Sequence, residues 1–217
     1  MPRGRRAMSE PADMMDFHEY PKVVTIEGGQ SVTLRPMRAD DRDRLFAFFK
    51  RIPAEERRAF KHDVSQREVI TNWCRALDYD RVLPILALEG QGERERVVAD
   101  GTLHTERHGW DTHVARLRLT VDPEMRKRGL GHVMLRELYH RASLRGIEKV
   151  QVEVRADNAH AISLLKRLGY KQEAVFVQHA LDLEGKKHDV IIFYNDMNEL
   201  WQKMADLNID SDFFVIP

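Results

Sequence analysis

The stretch Val121-Asp122-Pro123-Glu124-Met125-Arg126-Lys127-Arg128-Gly129-Leu130-Gly131-His132 constrains this chain more than any other. A strand-like run, Ala115 to Val121, feeds a proline turn. Three cations and two glycines follow, and a helical pattern opens at about Leu130. The first N–H groups of a helix have no internal acceptors, and the helix dipole places partial positive charge there. Glycine lets the backbone approach a ligand closely and adopt positive φ. A junction of this composition is expected to hold an anion, a phosphate-bearing ligand above all.

Composition bounds what surrounds that junction. The chain has 217 residues, 42% of them hydrophobic, which suits one ordinary domain with tails. Lys plus Arg and Asp plus Glu both number 35, so the formal net charge is zero. That removes the electrostatic argument for nucleic-acid binding. Cys74 is the single cysteine, so no internal disulfide can form, and a reducing compartment fits. No apolar stretch reaches the ~18 residues of a membrane span. The basic start, Met1 to Arg6, has no apolar run behind it and does not read as a secretory signal. We expect a cytoplasmic protein, monomer or homodimer, with neither membrane nor nucleic acid as partner.

Residues 1–20 lack a clear period and read as a mobile arm, residues 21–195 as the domain, and residues 196–217 as a C-terminal helix and tail. Val32 to Arg35 reads as a strand after the Gly28-Gly29 turn. Asp40 or Asp41 then caps a helix to about Lys50, with Leu45, Phe46, Phe48 and Phe49 as its apolar stripe. Pro53 to Glu56 read as the start of a short helix, and another runs from Ser65 to Asp78. Strands follow at Val82 to Leu88, Arg96 to Thr105 and His113 to Val121, the first containing Pro84. The helix from Gly129 to Arg145 is stopped by Gly146. A strand at Lys149 to Val154 and a helix at Ala159 to Leu168 come next. Residues 171–183 and 188–194 pair as a hairpin, and a last helical pattern covers about Asn195 to Leu207. This order predicts a mixed α/β (α+β) sheet of about seven strands with helices on both faces.

Three phosphate-binding patterns compete at the junction. A P-loop needs Lys and Ser/Thr after its second glycine, where this chain has His132 and Val133. A dinucleotide fingerprint needs a third glycine, where Met134 stands, and three antiparallel strands upstream oppose a βαβ start. The third pattern is Arg-x-x-Gly-x-Gly after a strand and Val-x-Pro. It resembles motif A of the GCN5-related N-acetyltransferase (GNAT) superfamily. The run Val152-Glu153-Val154-Arg155-x-x-Asn158, then Ala161-x-x-Leu164-x-x-x-Leu168-Gly169-Tyr170, is similar to the superfamily's next motif. The likeness covers roughly residues 31–195. Leu34-Arg35-Pro36-Met37-Arg38-x-x-Asp41 adds a less specific likeness to the acetyltransferase domain of bacterial protein-lysine acetyltransferases.

The resemblance implies acetyl-CoA as cosubstrate, and transfer to a primary amine of a protein or a small molecule. It places the pyrophosphate on the backbone from Arg126, Lys127, Arg128, Gly129, Leu130 and Gly131 to His132. It places the pantetheine arm along Leu119, Thr120 and Val121, with Asn158 from the second motif facing the cofactor. Asn158 also reads as the N-cap of the helix at Ala159. An ammonium with a pKa near ~10.4 must lose a proton before attack. The superfamily's usual acid, a tyrosine seven residues after Asn158, is replaced by Leu165, and the usual fourth-strand carboxylate by Arg116. Glu153, in a setting like that of the ribosomal-protein N-terminal acetyltransferases, is the remaining base, unless it merely alternates with Val152 and Val154 on an exposed face. Glu106, His104 and Asp111 are its rivals. His104, His108 and His113 are not spaced as a metal site, so no metal is expected. Cys74 reads as a core thiol. The departures leave a second reading open: a catalytically degenerate acyl-CoA-binding sensor or interaction module.

Overall fold

A computed structural model describes residues 17–197 and 199. Eight strands, β1 (Lys22–Thr25), β2 (Ser31–Pro36), β3 (Val82–Glu89), β4 (Arg96–Thr105), β5 (Val114–Val121), β6 (Lys149–Arg155), β7 (Lys171–Leu181) and β8 (Lys187–Asp196), form one sheet. Its order is β1-β2-β3-β4-β5-β6-β8-β7. The helices are α1 (Arg42–Arg51), α2 (Ala54–Arg57), α3 (Arg67–Arg75), α4 (Leu130–Leu144) and α5 (Ala159–Arg167). The mixed sheet is as expected, with one strand more than the seven anticipated. The extra strand, Lys22–Thr25, is too short to show a period and is defined by its pairing with β2 across the Gly28-Gly29 turn.

The sheet separates two cores. On one face Leu34, Ile85, Leu103 and Leu117 pack with Met134, Leu138 and Ala142 of α4. On the other, Leu86 and Leu88 pack with Leu45, Phe48 and Phe49 of α1 and Ile70 and Cys74 of α3. Strand alternation assigns the faces. A Cβ added at Gly101 would lie 2.8 Å from Leu138 Cδ1, so the absence of a side chain at Gly101 lets α4 pack closely on the sheet there. Pro84 is tolerated inside β3 because β2 pairs only as far as Ile85, so the missing N–H faces the end of β2. Met37 N still donates to the Pro84 carbonyl at 2.9 Å.

Two boundaries differ from expectation. Asn195 and Asp196 extend β8 rather than opening a helix, because they pair with Val150 and Lys149. Met197 and Glu199 are helical, and the rest of the expected C-terminal helix and tail lies outside the described residues, as do residues 1–16 of the expected arm. Where that arm was expected to end, Tyr20 donates to Glu137 Oε1 at 2.5 Å and stacks under Arg141. Among the described residues no helix is long and apolar enough to cross a membrane.

Candidate functional site

The β5–α4 junction is built by its buried neighbours. Asp122 is wholly buried; its carboxylate accepts from Glu124 N at 3.1 Å and from Arg51 Nε at 2.6 Å. Arg51 also donates to the Val97 carbonyl, so the end of α1 is tied to the turn. Met125 anchors the turn in the core. Beyond it Lys127 takes φ 58° and Gly129, the N-cap of α4, takes φ 75°. Left-handed residues so placed aim successive N–H groups outward into an anion-binding concavity. The N–H groups of residues 127–131 donate to no backbone carbonyl among the described residues. Gly131 is helical, and an added Cβ would meet only Val121 Cγ2 at an ordinary 3.8 Å. Packing therefore does not require glycine at 131. The cradle fits a pyrophosphate.

Next to it the sheet opens. β5 and β6 run parallel and pair only at Val114–Lys149, Ala115–Val150 and Arg116–Gln151. β5 then continues to Val121 with its β4 edge paired, and β6 to Arg155 with its β8 edge paired. Between them the backbone of Leu117 to Val121 faces a widening gap. That exposed edge could hydrogen-bond an amide-bearing chain running toward the cradle.

The face away from α4 is polar around this gap. Asp100, Thr102 and His104 alternate along β4, opposite Thr120, Arg118 and Arg116 of β5. Thr102 Oγ1 and His104 Nε2 lie 3.1 Å apart. Burial, reinforced by Arg118 and Arg116, pulls His104 down to about 4, so it is neutral at pH 7. Burial likewise lowers Arg118, with Glu153 and Asp100 opposing. Glu153 lies on the same face of β6, 3.7 Å from Lys61 Nζ, and Arg155 donates to the Arg58 carbonyl. The segment 58–61 thus roofs this end of the strip. Asp100 is the outlier: its Oδ1 is buried without a partner, and burial pushes its carboxyl up to about 7 despite Arg118.

The expected site residues fall into groups. Leu119, Thr120 and Val121 border the gap, and the backbone of residues 127–131 forms the cradle; His132 was expected to join it, but its N–H is spent on the Gly129 carbonyl at 3.0 Å, as the first turn of α4 requires. Arg126 is turned aside, bound in a two-point pair to Glu56 of α2 at 2.8 and 2.6 Å. Arg128 reaches Gln30, and Lys127 is exposed. Asn158 caps α5 by accepting from Ala161 N at 3.1 Å; its Nδ2 makes no hydrogen bond among the described residues. Glu106 pairs with Arg116 at 3.3 Å at the far end of β5. Leu165 is core, and Tyr170 donates or accepts only within a buried pair with Tyr139 at 2.5 Å. Cys74 is buried against Met37, its thiol pushed up to about 11 by burial. Among the described residues no three His, Cys, Asp or Glu side chains gather to hold a metal. Sequence reasoning missed Asp100, Asp122 and Glu56. Asp100 alone carried a signal, a carboxylate within the apolar run Val97 to Leu103.

Known proteins place this arrangement. The "[Ribosomal protein bS18]-alanine N-acetyltransferase" of Salmonella typhimurium is 32% identical over 74 residues, 34% of this chain and 50% of that one. The chain thus spans about half the length of such relatives. The solved GNAT domain of S. lividans PAT superposes with a TM-score of 0.64 at 18% identity, covering 81% of this chain and 96% of that one. The structure of yncA, described as a putative acetyltransferase from Salmonella typhimurium with its cofactor acetyl-CoA, superposes at 0.59 and 18% identity, covering 76% and 94%. The Acetyltransferase (GNAT) family profile matches residues 46–170, more than half the sequence and the whole of the junction, the gap and α5, and the chain belongs to that family.

Proposed function

We propose that this chain is an acetyl-CoA-dependent N-acetyltransferase that moves an acetyl group directly to a primary amine. The observation that carries this reading is the run of unpartnered N–H groups at residues 127–131, set at the end of an open strand edge. The cradle would hold the pyrophosphate, with Lys127 and Arg128 beside it. Backbone groups of Leu119 to Val121 would hold the pantetheine amides, and Asn158 Nδ2 would face the arm. Acetyl-CoA, when bound, supplies the activated acyl group as a thioester. The acceptor enters from the polar face, between β6 and the segment 58–61. There Glu153, 3.7 Å from Lys61, would attract the incoming ammonium. The acyl donor is taken as acetyl, and the acceptor is a protein or small-molecule amine.

The buried Leu165 and the arginine at 116 favour a second reading, an acyl-CoA-binding sensor without turnover. Two measurements separate the readings. Calorimetry is expected to detect acetyl-CoA binding by wild type. Gly131→Glu is expected to weaken it at least about a hundredfold, because a carboxylate then occupies the anion site without disturbing the fold. Absence of wild-type binding overturns both readings. Release of free thiol with lysine peptides, peptides bearing a free N-terminal alanine, or small amines identifies an enzyme. Binding without release identifies a sensor.

A further inference from the structure

We propose that Asp100 is the proton acceptor for the attacking amine, a role the sequence pattern did not assign to it; the inference rests on the transferase reading above. Asp100 is central in the sheet, opposite Leu86 on β3 and Thr120 on β5. Leu86 belongs to the apolar cluster under α1 and α3, whereas Thr120 belongs to the strand that borders the gap. Asp100 therefore stands at the seam between core and site. A structural carboxylate in such a place is ordinarily satisfied by an arginine or by N–H groups. Asp41 and Asp122, which are wholly buried, are satisfied in that way. Asp100 Oδ1 has no hydrogen-bond partner.

The residue is not sealed off as a whole, since it keeps partial exposure. Its strand is paired on both edges, so that exposure opens on the face shared with Arg118 and His104. Adjacent strands lie ~4.8 Å apart, which puts the carboxylate one strand away from the open edge of β5. The charged and titratable groups facing it are Arg118 from β5, Cys74 from α3 and His104 from its own strand. His104 is held neutral, and the thiol is held protonated, both by burial. Arg118 alone supplies positive charge, and it is itself drawn toward Glu153. Glu153, by contrast, is exposed and already engaged with Lys61.

In the step proposed, the Asp100 carboxylate takes one proton from the acceptor's ammonium and becomes a carboxylic acid. The freed nitrogen lone pair forms the new C–N bond at the thioester carbon as the C–S bond breaks. The departing thiolate takes the second proton from that nitrogen, leaving an amide and free coenzyme A. Asp100 returns its proton to solvent. No oxidant or metal enters the balance. A carboxylate poised near neutral pH is suited to this work.

The test uses the full chain, acetyl-CoA and the amine panel described above. For wild type, kcat/KM is expected to rise through an ionisation near pH 7. Asp100→Asn is expected to lower kcat/KM at pH 7 by about a hundredfold or more. It should also move the rising limb to the amine's own ionisation and leave acetyl-CoA affinity within about twofold of wild type. Glu153→Gln is expected to keep the limb near pH 7. An unchanged pH profile in Asp100→Asn overturns the assignment, as does a slower enzyme whose limb has not moved. Should Asp100→Asn lose acetyl-CoA binding, Asp100→Glu decides: a retained limb supports the role, and its loss overturns it. Binding of acetyl-CoA by wild type with no amine turned over fails the transferase reading itself, and so is distinguished from failure of Asp100 alone.

Discussion

At the scale of single residues, the cradle carries a charge that opposes its proposed ligand. Glu27 N donates to the Arg128 carbonyl, fixing the β1–β2 turn against the glycine loop. That contact brings the Glu27 carboxylate beside Gly129, with Oε1 3.3 Å from where a Cβ on the glycine would stand. Gly129 is required by its φ of 75°. A carboxylate at the mouth of an anion site repels phosphate, and water and salt weaken that repulsion. Glu27→Gln, which keeps the shape, is therefore expected to tighten acetyl-CoA binding roughly threefold at low ionic strength. Titration calorimetry at about 50 mM and about 500 mM salt checks this, since the gain should shrink within a Debye length of about 4 Å. Equal affinities of the two proteins at low salt would show that Glu27 does not face the phosphates.

At the scale of elements, local chemistry was legible and its partners were not. The periods of α1, α3, α4 and α5 located those helices to within a few residues, because each buries one stripe. Asp40 or Asp41 reads as a helix cap in the sequence. In the fold the Asp41 carboxylate accepts from Arg38 N at 2.7 Å and takes a two-point pair from Arg35 at 2.6 Å, joining β2 to α1. Nothing in the spacing of Arg35 and Asp41 announces that pair, which arises when the chain turns from strand to helix. Likewise the Arg126 motif position was legible, but its engagement by Glu56, seventy residues earlier, was not. Burial alone would raise the Asp41 carboxyl; Arg35, the Arg38 N–H and Arg44 together hold it below its ordinary value. A lowered folded-state value contributes stability above the unfolded pKa of ~3.9, and that contribution is lost as pH falls through the folded value. Breaking a buried pair on one side costs about 3–5 kcal/mol. Arg35→Met is therefore expected to lower the melting temperature strongly at pH 7, and the deficit should narrow toward pH 3. Thermal unfolding across that range is the measurement, and a deficit independent of pH would locate the effect in packing instead.

At the scale of the whole molecule, the site exists only where the sheet is assembled. In the sequence Asp100 and Thr102 are separate polar letters in an apolar strand, His104 is one rival base among three, and Arg116 stands where a carboxylate was expected. Pairing β4 with β5, and letting β5 part from β6, turns them into one polar strip beside the gap. Such a strip is costly to build. Asp100 has its carboxyl raised to about 7 by burial, with Arg118 only partly offsetting this. A carboxyl raised on folding has its full stabilising contribution below the unfolded value of ~3.9, and loses it as pH rises through the folded value. Above pH 7 the folded protein must hold a buried anion that the unfolded chain hydrates freely. Asparagine is neutral at every pH, so Asp100→Asn should match wild type near pH 3.5 and surpass it at pH 8. The gap follows from about three pKa units and is bounded at about 4 kcal/mol. Melting curves of both proteins from acid to alkaline pH test this without any substrate. A variant gaining stability while losing turnover would mark Asp100 as a residue kept for chemistry, because a structural carboxylate would destabilise the fold when removed. A variant less stable than wild type at pH 8 would place Asp100 among the structural carboxylates, with Asp41 and Asp122.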